Sequence, residues 1–458
     1  MKLAAPIFAL LAVPAPAMAT PEIIAWADVN RDGDRWTVEY RFEEKAPVWA
    51  FTQSDMPRVK RESWRLRSME MLTPGVSLKR IGHYDVLVAA KGNVPKSVRL
   101  RFRPFTEDIE SSYDAALTFT DGSVALYSQQ FKLVPMRSLA EAESAPIDSG
   151  ELPLAIHPTY INFRDKAGPV LARGQRKPFA ITGDDDAYIL FGKAEPVVGA
   201  ALTSVIDPGL PKWLSNYMLE NMPGILAGYA AKMGPPPVGQ PTLMASWAGP
   251  TPGVTSMGGS VLPGTVVMTF EGEGVIQPNR AIENGVRWFV AHESAHFWLG
   301  QKIMYSTPRE SWITEGGADL LAIRAVAAAD AGYDARKRLG EAREECLPLL
   351  AKGGLASANE RGDHRAYYAC GAIIALAAEQ ASGGDFAEFV RTLIERHGDD
   401  SIVTRAEWLS LLDERAPGMG AEVSRLLDGP NTDPSASLDR FMSKSGVAGL
   451  LPAPDAKP

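Results

Sequence analysis

His292-Glu293-Ser294-Ala295-His296 constrains this chain more than any other stretch of it. On an α-helix, residues four apart share a face, so both imidazoles reach one metal ion. Glu293, one residue after the first His, then stands beside the ion rather than on it. There its carboxylate takes a proton from water, as a general base does. The surroundings suit a buried helix, with Val286, Trp288, Phe289, Val290 and Ala291 before the motif and Phe297, Trp298 and Leu299 after it. Asn279 supplies an N-cap and Glu283 an acidic first turn. With six His in the chain, chance matches to this pattern number on the order of one in two hundred.

A catalytic zinc ion takes three protein ligands and keeps one position open. Trp312-Ile313-Thr314-Glu315-Gly316-Gly317-Ala318-Asp319 supplies the third. Glu315 opens a second amphipathic helix that runs to about Ala329, with Thr314 as its cap. An acidic residue at a helix start otherwise serves only to compensate the dipole. Asp319 lies four residues later on the same face. It either accepts the second ring N–H of a zinc-bound His, fixing the tautomer, or is an ordinary surface acid.

Glu315 follows His296 by 19 positions, giving His-Glu-x-x-His, eighteen residues and Glu, continued as Glu-Gly-x-Ala. This resembles the gluzincin metallopeptidases of the aminopeptidase N, leukotriene A4 hydrolase and glycyl aminopeptidase type. The resemblance covers residues 240 to 385 and fits the N-terminal region in outline. It implies a thermolysin-like catalytic domain, Zn2+ held by His292, His296 and Glu315, Glu293 as general base, and a peptide or protein substrate. The family often carries Tyr-x-Lys-Gly where this chain has Tyr368-Ala369-Cys370-Gly371, so Tyr368 takes the place of the tyrosine that hydrogen-bonds the oxyanion. A phenol suits that role, being neutral at pH 7 yet a good donor. His364, one turn earlier, reads as solvent-exposed. The chain departs from the family at Met257-Gly258-Gly259-Ser260-Val261, where aminopeptidases have Gly-x-Met-Glu-Asn and its amine-binding Glu. Gly258 and Gly259 still let a substrate backbone approach, and Glu271 or Glu273 stands in for the missing carboxylate.

The remaining sequence sets the frame around this site. Lys2, the apolar run Ala5 to Val13 and the small-x-small Ala17-Met18-Ala19 read as a signal peptide over 1–19, hence an exported, periplasmic or secreted protein. Residues 20–150 read as an N-terminal β-sandwich or saddle domain. Trp36-Val38-Tyr40-Phe42 and Val98-Leu100-Phe102 alternate there with polar neighbours, and Asp121-Gly122 marks a hairpin turn. The basic stretch Arg58, Lys60, Arg61, Arg65 and Arg67 reads as a solvated strand face, and 137–157 as a linker. The peptidase domain spans 158–385, starting with strands such as Tyr188 to Phe191 and a helix from Pro211 to Met233. A helical C-terminal region covers 386–448 and a flexible tail 449–458. The fold class is α+β.

A net charge of −8, from 47 Lys+Arg against 55 Asp+Glu, argues against nucleic acid as a partner. No apolar run reaches the roughly 18 residues of a membrane span. Cys346 and Cys370 either pair, in an oxidising compartment, or stay as two buried thiols. The function expected is hydrolysis of peptide bonds by a zinc-activated water. The alternative is a zinc protein, inactive or hydrolysing a non-peptide substrate, that acts as a binding or scaffold module.

Overall fold

The alternation at Trp36 to Phe42 becomes a strand with one buried face in a computed structural model of the chain. It describes residues 24–452 apart from 58, 59, 61, 108, 110–112, 148–151, 153–158, 184, 430 and 431. The 1–19 leader, Arg58, Arg61 and residues 453–458 of the expected tail lie outside the described residues. Arg35–Phe42 turns Trp36, Val38, Tyr40 and Phe42 inward, pairing antiparallel with Ala25–Asp32 and Ser97–Phe102 in a six-stranded sheet. A four-stranded sheet built around Val48–Phe51 and Tyr84–Ala89 packs on it, and a five-stranded sheet carries Val124–Tyr127. One core joins Tyr40, Phe42, Trp49 and Phe51 to Leu126, Ile189 and Phe191.

Four expectations change here. Thr159–Asp165 pairs in parallel with Ala25–Asp32, and Tyr188–Phe191 pairs with Val124–Tyr127. The segment 158–191, expected to open the peptidase domain, is therefore built into the N-terminal sheets, where its apolar faces find partners. The expected linker contains a helix, Leu139–Ser144, capped by Ser138, which packs Ala142 and Ala145 against Val48, Tyr84 and Val86. The expected tail begins docked: Leu451 is buried, and its carbonyl accepts from Arg336 at 2.9 Å. Arg65 belongs to no solvated strand face. It lies on the short helix Trp64–Ser68, wholly buried, with Asp85 at 3.3 Å and the Gln130 carbonyl and side chain at 2.8 and 2.7 Å. The Phe51 and Trp64 rings each lie 4.4 Å from its guanidinium.

A second β unit follows. Its sheet runs in the order Val197–Val198, Thr203–Ile206, Thr242–Trp247, Thr265–Glu271, Ser256–Leu262. The crossover between the second and third of these strands carries the helix Lys212–Met233, which Gly234 ends at φ 79°. On one face, Met244, Leu262 and Val267 pack against Leu117, Tyr127 and Tyr188 of the N-terminal sheets. On the other, Leu243, Ala245, Met268 and Phe270 pack against the helices. The buried Asp207 fastens the two units together: its carboxylate accepts from the backbone N–H groups of Thr120, Gly209 and Trp247. Ser256–Leu262 is an edge strand of this sheet, antiparallel to Thr265–Glu271. Beyond residue 279 the chain is predominantly helical, through to Pro434–Lys444. Among the described residues, no helix is long and apolar enough to cross a membrane.

Removing one partner of a buried ion pair strands the other charge. Arg65→Leu is therefore expected to lower stability by about 3 kcal/mol, read from the urea midpoint. An unchanged midpoint would show that Arg80, also 3.3 Å from Asp85, suffices alone.

Candidate metal centre

Asn279 caps the helix Arg280–Ala295, its side chain accepting from Ala281 N and Ile282 N at 3.1 Å each. Val286, Phe289 and Val290 bury one face and carry His292 into the interior. His296 ends the helix, and the chain then turns back so that the Leu299 carbonyl lies 2.8 Å from His296 Nδ1. A second helix, Trp312–Ala329, starts three residues earlier than its acidic motif suggests, with Ser311 rather than Thr314 at its N-cap. Glu315 thus sits in its first turn. The two glycines after it have separate packing roles. A Cβ on Gly316 would lie 2.1 Å from the Gly371 backbone of the helix Arg365–Ala381, and one on Gly317 would lie 2.7 Å from Leu299.

These elements bring His292, His296 and Glu315 together. The two Nε2 atoms are 3.1 Å apart, and Glu315 Oε2 is 3.4 Å from each. A tetrahedral zinc ion with bonds of about 2.0–2.1 Å separates its ligands by about 3.3 Å, so the spacing fits. The outer contacts agree. Asp319 Oδ1 is 2.9 Å from His292 Nδ1, and the Leu299 carbonyl serves His296 in the same way. Those acceptors call for a proton on each Nδ1 and leave both Nε2 lone pairs facing the carboxylate, a donor set that suits a cation. Burial lowers the pKa of His292, but hydrogen bonds to Asp319 and Glu315 outweigh it and lift it to about 10. Burial likewise pushes Glu315 up, yet the two imidazoles hold it well below the usual carboxylate range. The pocket demands positive charge.

Glu293 is buried beside this cluster, and burial raises its pKa against the pull of both imidazoles. Gly259 stands directly over it, where a Cβ would fall 2.5 Å from the Glu293 carboxyl carbon. Gly258 faces the other way, against the Thr269 hydroxyl. The Tyr368 ring lies nearly parallel to that of His292, at 5.6 Å and 18°. Burial, with Glu315 and Glu293 nearby, holds its phenol well above its ordinary value, so it remains a neutral donor. His364 is exposed. Cys346 and Cys370 form a disulfide that ties the helix Ala335–Ala351 to the one bearing Tyr368.

Tyr113 was not foreseen. It comes from the N-terminal β region, and its hydroxyl donates to the Val261 carbonyl of the edge strand at 3.2 Å. Burial first, then Tyr305, Asp186, Glu293 and Glu315, push its pKa up to about 12. The contact spans 148 positions, a distance at which no local pattern carries a signal. Of the two acids considered as replacements for the missing carboxylate, Glu271 lines a cavity beside Gly258 and Gly259, whereas Glu273 is not among its lining residues.

No known protein family and no curated protein matches the sequence. Among solved structures, an aminopeptidase N family protein from Idiomarina loihiensis is similar, with a TM-score of 0.61 and 14% identity over 91% of this chain and 78% of that one. A mutant M1 zinc metallopeptidase from Deinococcus radiodurans, bound to a Tyr-Ser-Ala substrate, gives 0.50 and 14% over 89% and 93%. The fold is similar to theirs: mixed α+β, with several sheets and a helical C-terminal region.

An acceptor behind a ligating His typically contributes 10–100-fold to metal affinity. Asp319→Ala is expected to weaken zinc binding by about that factor, measured by competition with a chelating dye. Wild-type affinity would mean that the His292 ring keeps its orientation without Asp319.

Proposed function

We propose that the protein is an exported zinc-dependent peptidase. One observation carries this reading: three ligating atoms converge within 3.4 Å of one another, next to a buried carboxylate and a neutral phenol that take no part in the ligation. His292, His296 and Glu315 hold Zn2+, with Asp319 orienting His292. When bound, zinc supplies a Lewis acid that polarises a carbonyl and makes water more acidic.

The chain's own groups do the rest. Glu293, raised by burial, accepts a proton from the attacking water and delivers it to the leaving amine. Tyr368 donates a hydrogen bond to the oxygen on which negative charge develops. Gly259 leaves room over Glu293 for the substrate backbone at the open edge of Ser256–Leu262, and Gly258 extends that room to the opposite face. Tyr113 steadies the same strand through Val261. The second β unit and the helices beyond residue 279 correspond to a thermolysin-like catalytic unit.

Export rests on the leader over 1–19, with a periplasmic or secreted destination. The disulfide supports it, since such bridges persist in oxidising compartments. N-terminal sequencing of the protein recovered outside the cytoplasm is expected to begin at Thr20. Recovery of an uncleaved chain from the cytoplasm alone would remove this part of the reading.

Glu293→Gln is expected to keep zinc and lose hydrolysis by about 10²–10⁴-fold, assayed on a peptide library alongside zinc analysis. Tyr368→Phe is expected to lower kcat by about 10²–10³-fold with little change in KM. Wild-type turnover by the Glu293→Gln protein would overturn the assignment, as would hydrolysis that survives full removal of zinc by a chelator.

A further inference from the structure

The start of an α-helix favours negative charge and a side chain that caps its free N–H groups. The helix Arg365–Ala381 has neither. His364 at its N-cap makes no side-chain capping bond, its first turn holds no acid, and its first residue is a cation. A departure of this kind from local preference needs support from elsewhere in the fold. Glu345, on the helix Ala335–Ala351, gives it by accepting from Arg365 Nε and Nη2 at 2.8 Å each. Surface ion pairs add little unless the geometry is bidentate and the partners are already held in place. Both conditions hold, because the next residue, Cys346, is bonded to Cys370 and ties the same two helices.

This anchoring leaves the guanidinium over an aromatic ring. Arg365 and Tyr368 are three residues apart and share a helix face. The Arg365 guanidinium carbon lies 5.1 Å from the centre of the Tyr368 ring, within cation–π reach. The same ring stacks on His292, so Tyr368 has two planar partners, a metal-site imidazole and an anchored positive charge. The acids Glu315, Glu293 and Asp319 also act on this phenol, and all three oppose loss of its proton. A cation at the ring works the other way. It draws electron density from the phenol oxygen, which strengthens the O–H as a donor to an oxygen gaining negative charge.

We propose that Arg365 is a positioning residue for Tyr368. It holds the phenol ring against His292 and strengthens the hydrogen bond that Tyr368 gives to the developing oxyanion, with Glu345 as its anchor. Arg365 acts only through Tyr368 and touches neither substrate nor metal ligand. This inference rests on the peptidase reading above and adds a residue to the machinery of that site.

The test is a double-mutant cycle on the zinc-loaded full chain, with Arg365→Gln, Tyr368→Phe and both together. On a peptide that the wild type cleaves, Arg365→Gln is expected to lower kcat about fivefold with KM within about twofold. Arg365→Lys keeps the charge and is expected to stay within about twofold of wild-type kcat. In the Tyr368→Phe background, Arg365→Gln is expected to change kcat by less than about twofold, since the group it acts through is gone. A second readout needs no turnover: a peptide phosphonate, whose tetrahedral oxygens stand in for the oxyanion, is expected to bind about fivefold more weakly to Arg365→Gln. Zinc affinity, by dye competition, is expected to stay within about twofold. Arg365→Met keeps the aliphatic stem and replaces Arg365→Gln if thermal melts show a loss of fold. Wild-type kcat in the neutral variant, or a loss confined to KM, would overturn the inference and leave the peptidase reading intact. So would Lys as slow as Gln, or an undiminished loss in the Tyr368→Phe background, which would make the Glu345 pair a structural tie only. Absence of cleavage by the wild type would count against the peptidase reading, and phosphonate binding would still decide the role of Arg365.

Discussion

Two imidazole nitrogens and a carboxylate oxygen, mutually 3.1–3.4 Å apart, form a cluster that holds together only around positive charge. Each ring is fixed from behind, His292 by Asp319 and His296 by the Leu299 carbonyl, so neither can turn its lone pair away. The burial that makes the cluster electrostatically costly also makes it selective. A cation with three short bonds satisfies every member at once, whereas protons satisfy them only in part. The rest of the architecture serves this constraint, because the ligands come from two helices whose relative position must hold to a few tenths of an ångström.

That position is set by the absence of side chains. The helix bearing Glu315 crosses the one bearing Tyr368 at Gly316 and Gly371, where a Cβ on either residue would meet the other's backbone at under 3 Å. The crossing sits one residue after the ligand and three after the phenol, so it controls their separation directly. The disulfide at Cys370 ties the same helix to Ala335–Ala351 from the other side. Gly259 repeats the device at the edge strand, bringing a backbone against Glu293 that any larger residue would push away.

The parts of the site that lie on single helices were legible in the sequence. His292, Glu293 and His296 are related by helical periodicity alone, as are Glu315 and Asp319, and Asn279 announced the start of the first helix. What connects distant segments was not legible. Arg65 reads as one more charge in a basic run, because its partners Asp85 and Gln130 lie 20 and 65 positions away. Thr159–Asp165 has an apolar pattern that fits either β unit, and its pairing with Ala25–Asp32 follows from sheet topology, which local pattern does not encode. The glycines of Glu315-Gly316-Gly317 were visible as a motif, but their reason, close approach of a second helix and of Leu299, appears only once the chain is folded.

The same strand therefore faces two environments built by different parts of the chain. Its helix side presents Glu293 and, beside it, the cluster of His292, His296 and Glu315. Its other side faces the N-terminal β structure, which reaches it through Tyr113 on Val261 and through the backbone of Thr120 bound to Asp207. Tyr113 lies close enough to Glu293 and Glu315 for both to raise its pKa, so the N-terminal structure is coupled to the cluster as well as to the strand. The two environments are thus separated by the thickness of one strand. The N-terminal sheets wall the cavity on one side of this strand, and the register of Ser256–Leu262 couples the two sides.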